Sequence, residues 1–407
     1  MKKRRLSLFL ALALCLTLLP AAAFANGEPE ASTPHTHYLC GNGEACSHVG
    51  GHNETDKTTF ATAITQDNNT GKVYVGGDPE EQPYQCVLSE EGTYYLASDL
   101  VLKGPPNLKK VGCIYIDSNV TLCLNGHTIT IIDDRDAFDI RKSAEGNPPT
   151  LTLTDCKNSG QITHGTSNGT KYLGNGVSLH QSCNFIMYGG SITGNTTTGG
   201  ENTTWRSGGV WVRDNSTFTM YGGSITDNTT VWSGGGVYVE GSGKFYMHGG
   251  TISGNSAVDG GGGVYVGSGS TFTMAGDSRI TGNTAGSGGG VEVFGSMTMT
   301  GGSITGNNAG NGGGVYANGS FIVSGAVQIK DNVCNGTKGS NGNYSGGTTS
   351  NVYLRSGKTI TIGTNHLSSD ASIGVTTQNL PTNEDIAIAT GANLDDKQYF
   401  HSDTDEN

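Results

Sequence analysis

Charge is scarce in this chain. Only 14% of its 407 residues are Asp, Glu, Lys or Arg, and only 10 are proline. Low charge combined with regularly spaced apolar residues excludes a disordered polyelectrolyte. Beyond Leu19 no apolar run is long enough to cross a bilayer as a helix. Basic residues form no stripe either: residues 170–365 hold nine Lys/Arg against eight Asp/Glu, so nucleic acid is not an expected partner. Cysteine is sparse in the second half, where Cys334 alone follows Cys183, and disulfides therefore do not hold that half together. What the chain has in excess is glycine, 66 residues, in a spacing that suits turns between short strands better than a flexible linker.

The first 25 residues read as a secretory leader. Lys2, Lys3, Arg4 and Arg5 precede the apolar run Leu6 to Leu19, and Ala23-Phe24-Ala25 supplies a small-residue cleavage site. An exported chain follows, secreted or held at the cell surface, with no transmembrane span in its mature part. The formal net charge of −12 becomes about −16 without those four bases, and the acidity sits in the flanks, as at Asp395-Asp396 and Asp403 to Glu406.

Residues 208–332 repeat one phrase. GGVWVRDNSTFTMYGGSITDN is followed by GGGVYVEGSGKFYMHGGTISGN, GGGVYVGSGSTFTMAGDSRITGN, GGGVEVFGSMTMTGGSITGN and GGGVYANGSFIVSGAVQIKDN, with an imperfect copy upstream from Asn175 and a degraded one downstream from Ser350. The valines after the glycines fall at 177, 210, 237, 264, 291, 315 and 352, and the closing asparagines at 195, 228, 255, 283, 307 and 332. A period in the mid-twenties without helical spacing means a solenoid. Each unit offers three strands, such as GVYV, TFTM and SIT, so the expected fold is all-β, a right-handed parallel β-helix with three strands per coil. Alternation points Val237 and Val239 inward, with Phe245, Met247 and Ile252 from the next two strands. Ile192, Ile225, Ile252, Ile280, Ile304 and Ile329 should form one continuous ladder.

The flanks divide by composition. Residues 26–85 read as a separate Cys/His-containing segment and linker, 86–170 as irregular first coils and cap, 171–365 as the regular β-helix and 366–407 as an acidic, weakly structured tail. HTHYLCGNGEACSHVGGH gathers His35, His37, Cys40, Cys46, His48 and His52, ligand types that suit a tetrahedral Zn²⁺ site. A Cys40–Cys46 disulfide with solvated histidines is the competing reading; eight cysteines after the leader allow too many pairings for more to be assigned.

Catalytic signals are weak. A β-helix hydrolase or lyase needs carboxylates, or carboxylates with Lys/Arg, at matching outward positions of adjacent coils, and the regular repeats show none. The densest acids are Asp133, Asp134, Asp136 and Asp139, which read as a solvated loop or, alternatively, as the site of a polysaccharide lyase or glycoside hydrolase. Arg213 and Glu240 read as a surface ion pair. The outward series Trp211, Tyr238, Tyr265, Tyr316 and Tyr353, interrupted by Glu292, reads either as a strip of flat ring faces for a glycan or as stacking that stabilises the coil. The paired hydroxyls of the SIT segments suggest a remoter ice-binding face or a purely structural surface.

GGGVYV…FTM.GGSITGN, with Asn283 three residues after Ile280 and Gly288 to Gly290 beyond it, resembles the repeats of polymorphic outer-membrane proteins and adhesins. HTHYLCG, LCLNGHTIT at Leu122, LTLTDC at Leu151 and GQITHG at Gly160 are more closely similar to exported right-handed β-helix proteins of gut Firmicutes. The resemblance carries no catalytic motif. It implies a cell-surface or secreted, adhesin-like role, and with the aromatic column the expected partner is an extracellular glycan or a host or cell-surface ligand.

Overall fold

The computed structural model describes residues 35–37, 39, 57–79, 85–104, 112–144, 146–198, 207–338, 344–378 and 387–403. The leader expected at residues 1–25 lies outside them. The coil beginning at Val237 has three strands, Val237–Val239, Lys244–Met247 and Thr251–Ser253, here termed the first, second and third faces. Each pairs in parallel with its counterpart one repeat on: Val237 with Val264, Phe245 with Phe272, Ile252 with Ile280. The chain therefore climbs about 4.8 Å per turn as a parallel β-helix. A short fourth run, such as Thr229–Thr230 and Ser256–Ala257, lies between the third face and the next first face.

Period-two alternation sets the core. Val237, Val239, Phe245, Met247 and Ile252 are wholly buried, as are Val264, Val266, Met274 and Ile280 on the next coil. Phe185, Phe218, Phe245 and Phe272 stack ring on ring at 4.7–4.8 Å, the rise of one coil. The insertion of one residue between the asparagines at 255 and 283 falls in the turn after Met274, where the buried Ser278 hydroxyl donates to the carbonyl of Ala275 at 2.6 Å.

Two features of the repeat answer to backbone demands. In the glycine triplets the first residue takes a left-handed turn, at φ 70° for Gly234 and 62° for Gly261. The third lies against the next coil: a Cβ on Gly263 would sit 2.6 Å from the Gly290 carbonyl oxygen. The closing asparagines form a buried ladder. Asn195, Asn228, Asn255, Asn283, Asn307 and Asn332 each pass a side-chain N–H to the next Oδ1 at 2.9–3.0 Å, ending on Asn351. Their backbone N–H groups also donate to that same Oδ1, as from Asn228 to Asn255 at 3.0 Å.

Both flanks depart from the compositional boundaries. Thr62–Gln66 pairs in parallel with Gly92–Leu96 and carries Ile64 into the main core, while Val73–Val75 folds back antiparallel on it. The glycines at 71, 76 and 77, all at positive φ, are turns of this hairpin rather than a linker. The strands from Thr62–Gln66 to Asp78–Pro79 thus belong to the solenoid's first edge, while Thr58–Phe60 pairs with His35–His37 in a separate two-stranded sheet. The acidic tail is likewise a coil: Ser372–Thr377 bridges the third and first faces through Ile329 and Val352, and Phe400–Ser402 pairs on it. Asp396 and Asp403, in the tail expected to be weakly structured, are buried acceptors. Asp403 receives the N–H and Nδ2 of Asn351 at 2.8 and 2.6 Å, and Asp396 the N–H of Leu367 at 3.0 Å.

Candidate functional site

The middle residues of the first-face strands form an outward column: Tyr115, Asp139, Ser178, Trp211, Tyr238, Tyr265, Glu292, Tyr316 and Tyr353 are successive partners in register. Eight steps of about 4.8 Å make it about 38 Å long. A second column, two residues further along each strand, holds Arg141, His180, Arg213, Glu240, Gly267 and Phe294. The aromatic series therefore begins on a charged stretch in the irregular coils. FDIR from Phe138 and VSLH from Val177 match VWVR from Val210, and that alignment was the available signal for it.

The rings do not offer their faces to solvent. Tyr238 and Tyr265 stack at 4.7 Å with planes 12° apart, so each face is turned along the axis toward the next coil, and edges and hydroxyls point outward. Trp211 is buried: the Arg213 guanidinium lies 4.6 Å over its ring and its indole N–H donates to Glu240 at 3.0 Å. The expected Arg213–Glu240 pair is thus replaced, because Glu240 holds the indole and Arg213 Nε turns to Asp214 at 2.9 Å. Tyr316 is buried too, stacked on Tyr353 at 5.5 Å and accepting from Arg355 at 2.8 Å. Glu292 breaks the aromatic run. Its carboxyl accepts from Ser287 at 2.5 Å and packs where any Cβ on Gly260 would collide with it, and burial pushes its pKa up to about 7.

Accessible aromatic and apolar surface gathers around Tyr265. Gly267 places no side chain between Glu240 and Phe294, leaving a notch at the Tyr265 ring edge, and Phe294, 37% exposed, tilts toward that ring at 5.8 Å. Trp232 and Val258, on the loops preceding Tyr238 and Tyr265, are 37% and 63% exposed. Tyr238, Tyr265 and Tyr353 are half-buried.

The four clustered acids are engaged by donors of their own and the adjoining coils. Asp133 accepts from Gly104 N–H and faces Arg135 at 3.1 Å; Asp134 accepts from Leu173 N–H at 2.9 Å. Asp136 accepts from Ser178 Oγ at 2.6 Å and from the backbone and side chain of Asn175, both at 2.9 Å; burial raises its pKa to about 6. Asp139, in the outward column, is held by both Arg141 Nε and Nη2 and lies 3.5 Å from His180, whose pKa burial lowers to about 4. Asp139 is buried, Asp133 and Asp136 are half-buried and Asp134 is exposed, so the acids form a hydrogen-bonded network rather than a freely solvated loop. The hydroxyls of the SIT segments also bond one another along the axis, Ser224 to Ser191 at 3.0 Å and Thr226 to Thr193 at 3.1 Å.

Of the expected metal ligands, Cys40, Cys46, His48 and His52 lie outside the described residues, as does the Cys40–Cys46 disulfide, and His35 is placed only as backbone. His37 is described, and its partners are not the ones expected. The strand His35–His37 pairs antiparallel with Thr58–Phe60 and covers the outer side of the second face. There His37 Nε2 lies 3.2 Å from Cys123 Sγ, which lies 3.6 Å from Cys156 Sγ. The neighbouring Cys156 thiol, and then burial, keep the Cys123 thiol well above its usual pKa. No disulfide joins any two of the described cysteines. No protein-family model, curated protein or solved structure matches the chain. Among the described residues no helix is long and apolar enough to cross a membrane.

Proposed function

We propose that the protein is an exported, adhesin-like shaft that binds an extracellular glycan along its first face. The observation that supports this most is the notch at Tyr265. It joins an exposed ring, Phe294, to a tyrosine edge and a carboxylate, Glu240, on a scaffold whose positions are fixed by stacking from coil to coil. Glycans are bound by apolar ring surface together with a few fixed polar groups, and a periodic backbone presents such groups at intervals an extended polymer can follow. Repeats similar to those of adhesins, and the leader-like start, support an extracytoplasmic setting. The alternative, a polysaccharide lyase or glycoside hydrolase, draws less support, since Asp133, Asp134, Asp136 and Asp139 already serve donors of their own and adjoining coils.

The test is retention on a panel of immobilised polysaccharides. Phe294→Ala combined with Tyr265→Phe should weaken retention by about tenfold while thermal unfolding stays nearly unchanged, because Phe at 265 keeps the stack. Simultaneous Ala at 238 and 265 would be a poorer probe, since it also deletes the 4.7 Å ring contact. Unchanged retention, or release of new reducing ends or unsaturated products that Asp136→Ala abolishes, would overturn the proposal.

A further inference from the structure

The group formed by His37, Cys123 and Cys156 belongs to neither outward column. Its three donor atoms all lie within 4.8 Å of one another. In tetrahedral Zn²⁺ sites with metal–sulfur distances of about 2.3 Å and metal–nitrogen distances of about 2.0–2.1 Å, the donor–donor edges come to about 3.6–3.8 Å. The separations here, 3.6 Å between the sulfurs and 3.2 Å from sulfur to imidazole nitrogen, are close to those edges. The sulfur–sulfur separation is also far beyond the roughly 2.05 Å of a disulfide bond.

The surroundings are those of a built site. His37 is 1% exposed and Cys123 0%, and the imidazole stacks on Phe60 at 4.5 Å with planes 10° apart, which fixes the ring. Phe60, Tyr95 and Cys123 form a small apolar cluster separate from the main core, with Leu39, Ala63, Ala97 and Cys156 packed against it. The donors come from distant points of the chain. Cys123 ends the strand Val120–Cys123, and Cys156 follows Thr150–Thr154, its neighbour on the second face. His37 arrives 86 residues earlier in sequence, on the strand that covers them both. The Thr154 hydroxyl donates to the Leu39 carbonyl beside the cluster, tying the covering segment down a second time.

We propose that His37, Cys123 and Cys156 bind a single Zn²⁺ ion that clips the N-terminal strand across two early coils. Binding is a ligand exchange without redox change. Zn²⁺ displaces one proton from each thiol, both thiolates and the neutral imidazole Nε2 donate lone pairs, and two protons leave to solvent. Soft thiolates with imidazole select Zn²⁺ over Ca²⁺ or Mg²⁺. The role is structural, because His37 and Cys123 are buried, Cys156 is half-buried and none joins an outward column; a water would complete the tetrahedron. The metal would pin the covering strand to the outer side of the second face, over Tyr95 and Cys123.

The test uses the full chain, purified without chelator under mild reduction, with metal content measured by inductively coupled plasma mass spectrometry. Stoichiometric Zn²⁺ is expected, replaceable by Co²⁺ with thiolate-to-metal charge-transfer absorption. His37→Ala and Cys156→Ser should each weaken Zn²⁺ binding more than about 100-fold, beyond the effect of losing an outer-shell partner, while Cys334→Ser leaves it intact. Should Cys156→Ser fold poorly, His37→Ala decides the matter, since His37 lies on the covering strand outside the stacked core; its far-UV spectrum should stay that of the wild type. Chelation should lower the thermal midpoint of the wild type and leave that of His37→Ala unmoved. Metal retained by both variants, a reduced chain that takes up no Zn²⁺, or a disulfide at Cys123 or Cys156 in chain purified without reductant would each overturn the proposal.

Discussion

Removing one rung of the asparagine ladder should damage the fold more than removing most apolar contacts of similar size. Asn255 is 1% exposed and its amide makes four hydrogen bonds. Oδ1 accepts the N–H and the Nδ2 of Asn228 at 3.0 and 2.9 Å, and Nδ2 donates to Asn283 Oδ1 and the Ile225 carbonyl, both at 2.9 Å. Asn255→Ala leaves Asn283 Oδ1 one donor, the backbone N–H at position 255. Asn228 fares worse: two of its buried donors lose their only acceptor on that side. At about 1–3 kcal/mol for each orphaned group, the loss is about 2–6 kcal/mol. Urea unfolding followed by far-UV circular dichroism and tyrosine fluorescence should show a midpoint shift of that size with an unchanged slope. Ser253→Ala, an outward change on the same coil, should stay within about 0.5 kcal/mol. A loss below about 1 kcal/mol for Asn255→Ala would refute the reasoning, because it would mean that the ladder amides are readily replaced by water.

Glu292 and the glycine triplets give two further expectations. The Glu292 carboxyl, raised by burial and further by Asp259 despite the Ser287 hydrogen bond, titrates at about 7 in the fold against 4.5 as its usual value, equivalent to about 3 kcal/mol. Because the folded value is the higher one, this stabilising contribution is fully present below about 4.5 and is lost as pH rises through about 7. Glu292→Gln should therefore flatten the fall in stability between pH 5 and pH 8 (about 3 kcal/mol of it), and a variant with the wild-type pH dependence would sink the assignment. Asp136 has the same sign, with a folded value of about 6. Gly263→Ala would set its Cβ 2.6 Å from the backbone oxygen of Gly290 and 2.9 Å from Ile280 Cγ2. Overpacking of this kind costs about 1–3 kcal/mol, whereas Gly269→Ala meets nothing within 4 Å and suffers only from its positive φ of 77°. Equal thermal midpoints for the 263 variant and wild type would contradict the close-approach reading.

The fold was legible because its determinants recur. One period places Val237, Phe245 and Ile252 in the core, and every further coil repeats the statement. The flanks were harder to read because they state it once. Nothing in the composition of TAITQ or SIGVTT distinguishes a single capping coil from a linker, and their place follows only from pairing with Gly92–Leu96 and Val352–Leu354. At the candidate site, the column of Trp211, Tyr238, Tyr265, Tyr316 and Tyr353 was legible from register, but ring orientation was not. In parallel strands identical side chains lie one coil rise apart, so like rings meet face to face and burial by preceding loops varies from rung to rung. The partners of His37 were not legible at all, because Cys123 and Cys156 reach it through the stacking of coils rather than through any local spacing.

The ladder also explains why carboxylates appear where they do. Its amides are polar in one direction: every Nδ2 donates toward the C-terminal end and every Oδ1 accepts from the N-terminal side. Such a chain cannot end on another asparagine without leaving a buried N–H with no acceptor. It needs a donor before its first residue and an acceptor-only group after its last. His164 supplies the first in the tautomer that carries its proton on Nδ1, 2.7 Å from Asn195 Oδ1; Nε2 lies 2.7 Å from the Arg135 carbonyl, and burial lowers the ring's pKa. Asp403 supplies the second, its two oxygens taking the N–H and Nδ2 of Asn351 and the Thr376 hydroxyl at 2.8 Å. An amide at 403 would put donors where acceptors are required. The acidity of the C-terminal flank is thus partly the chemistry of terminating the stack, and the carboxylate belongs to the same periodic device as the asparagines it follows.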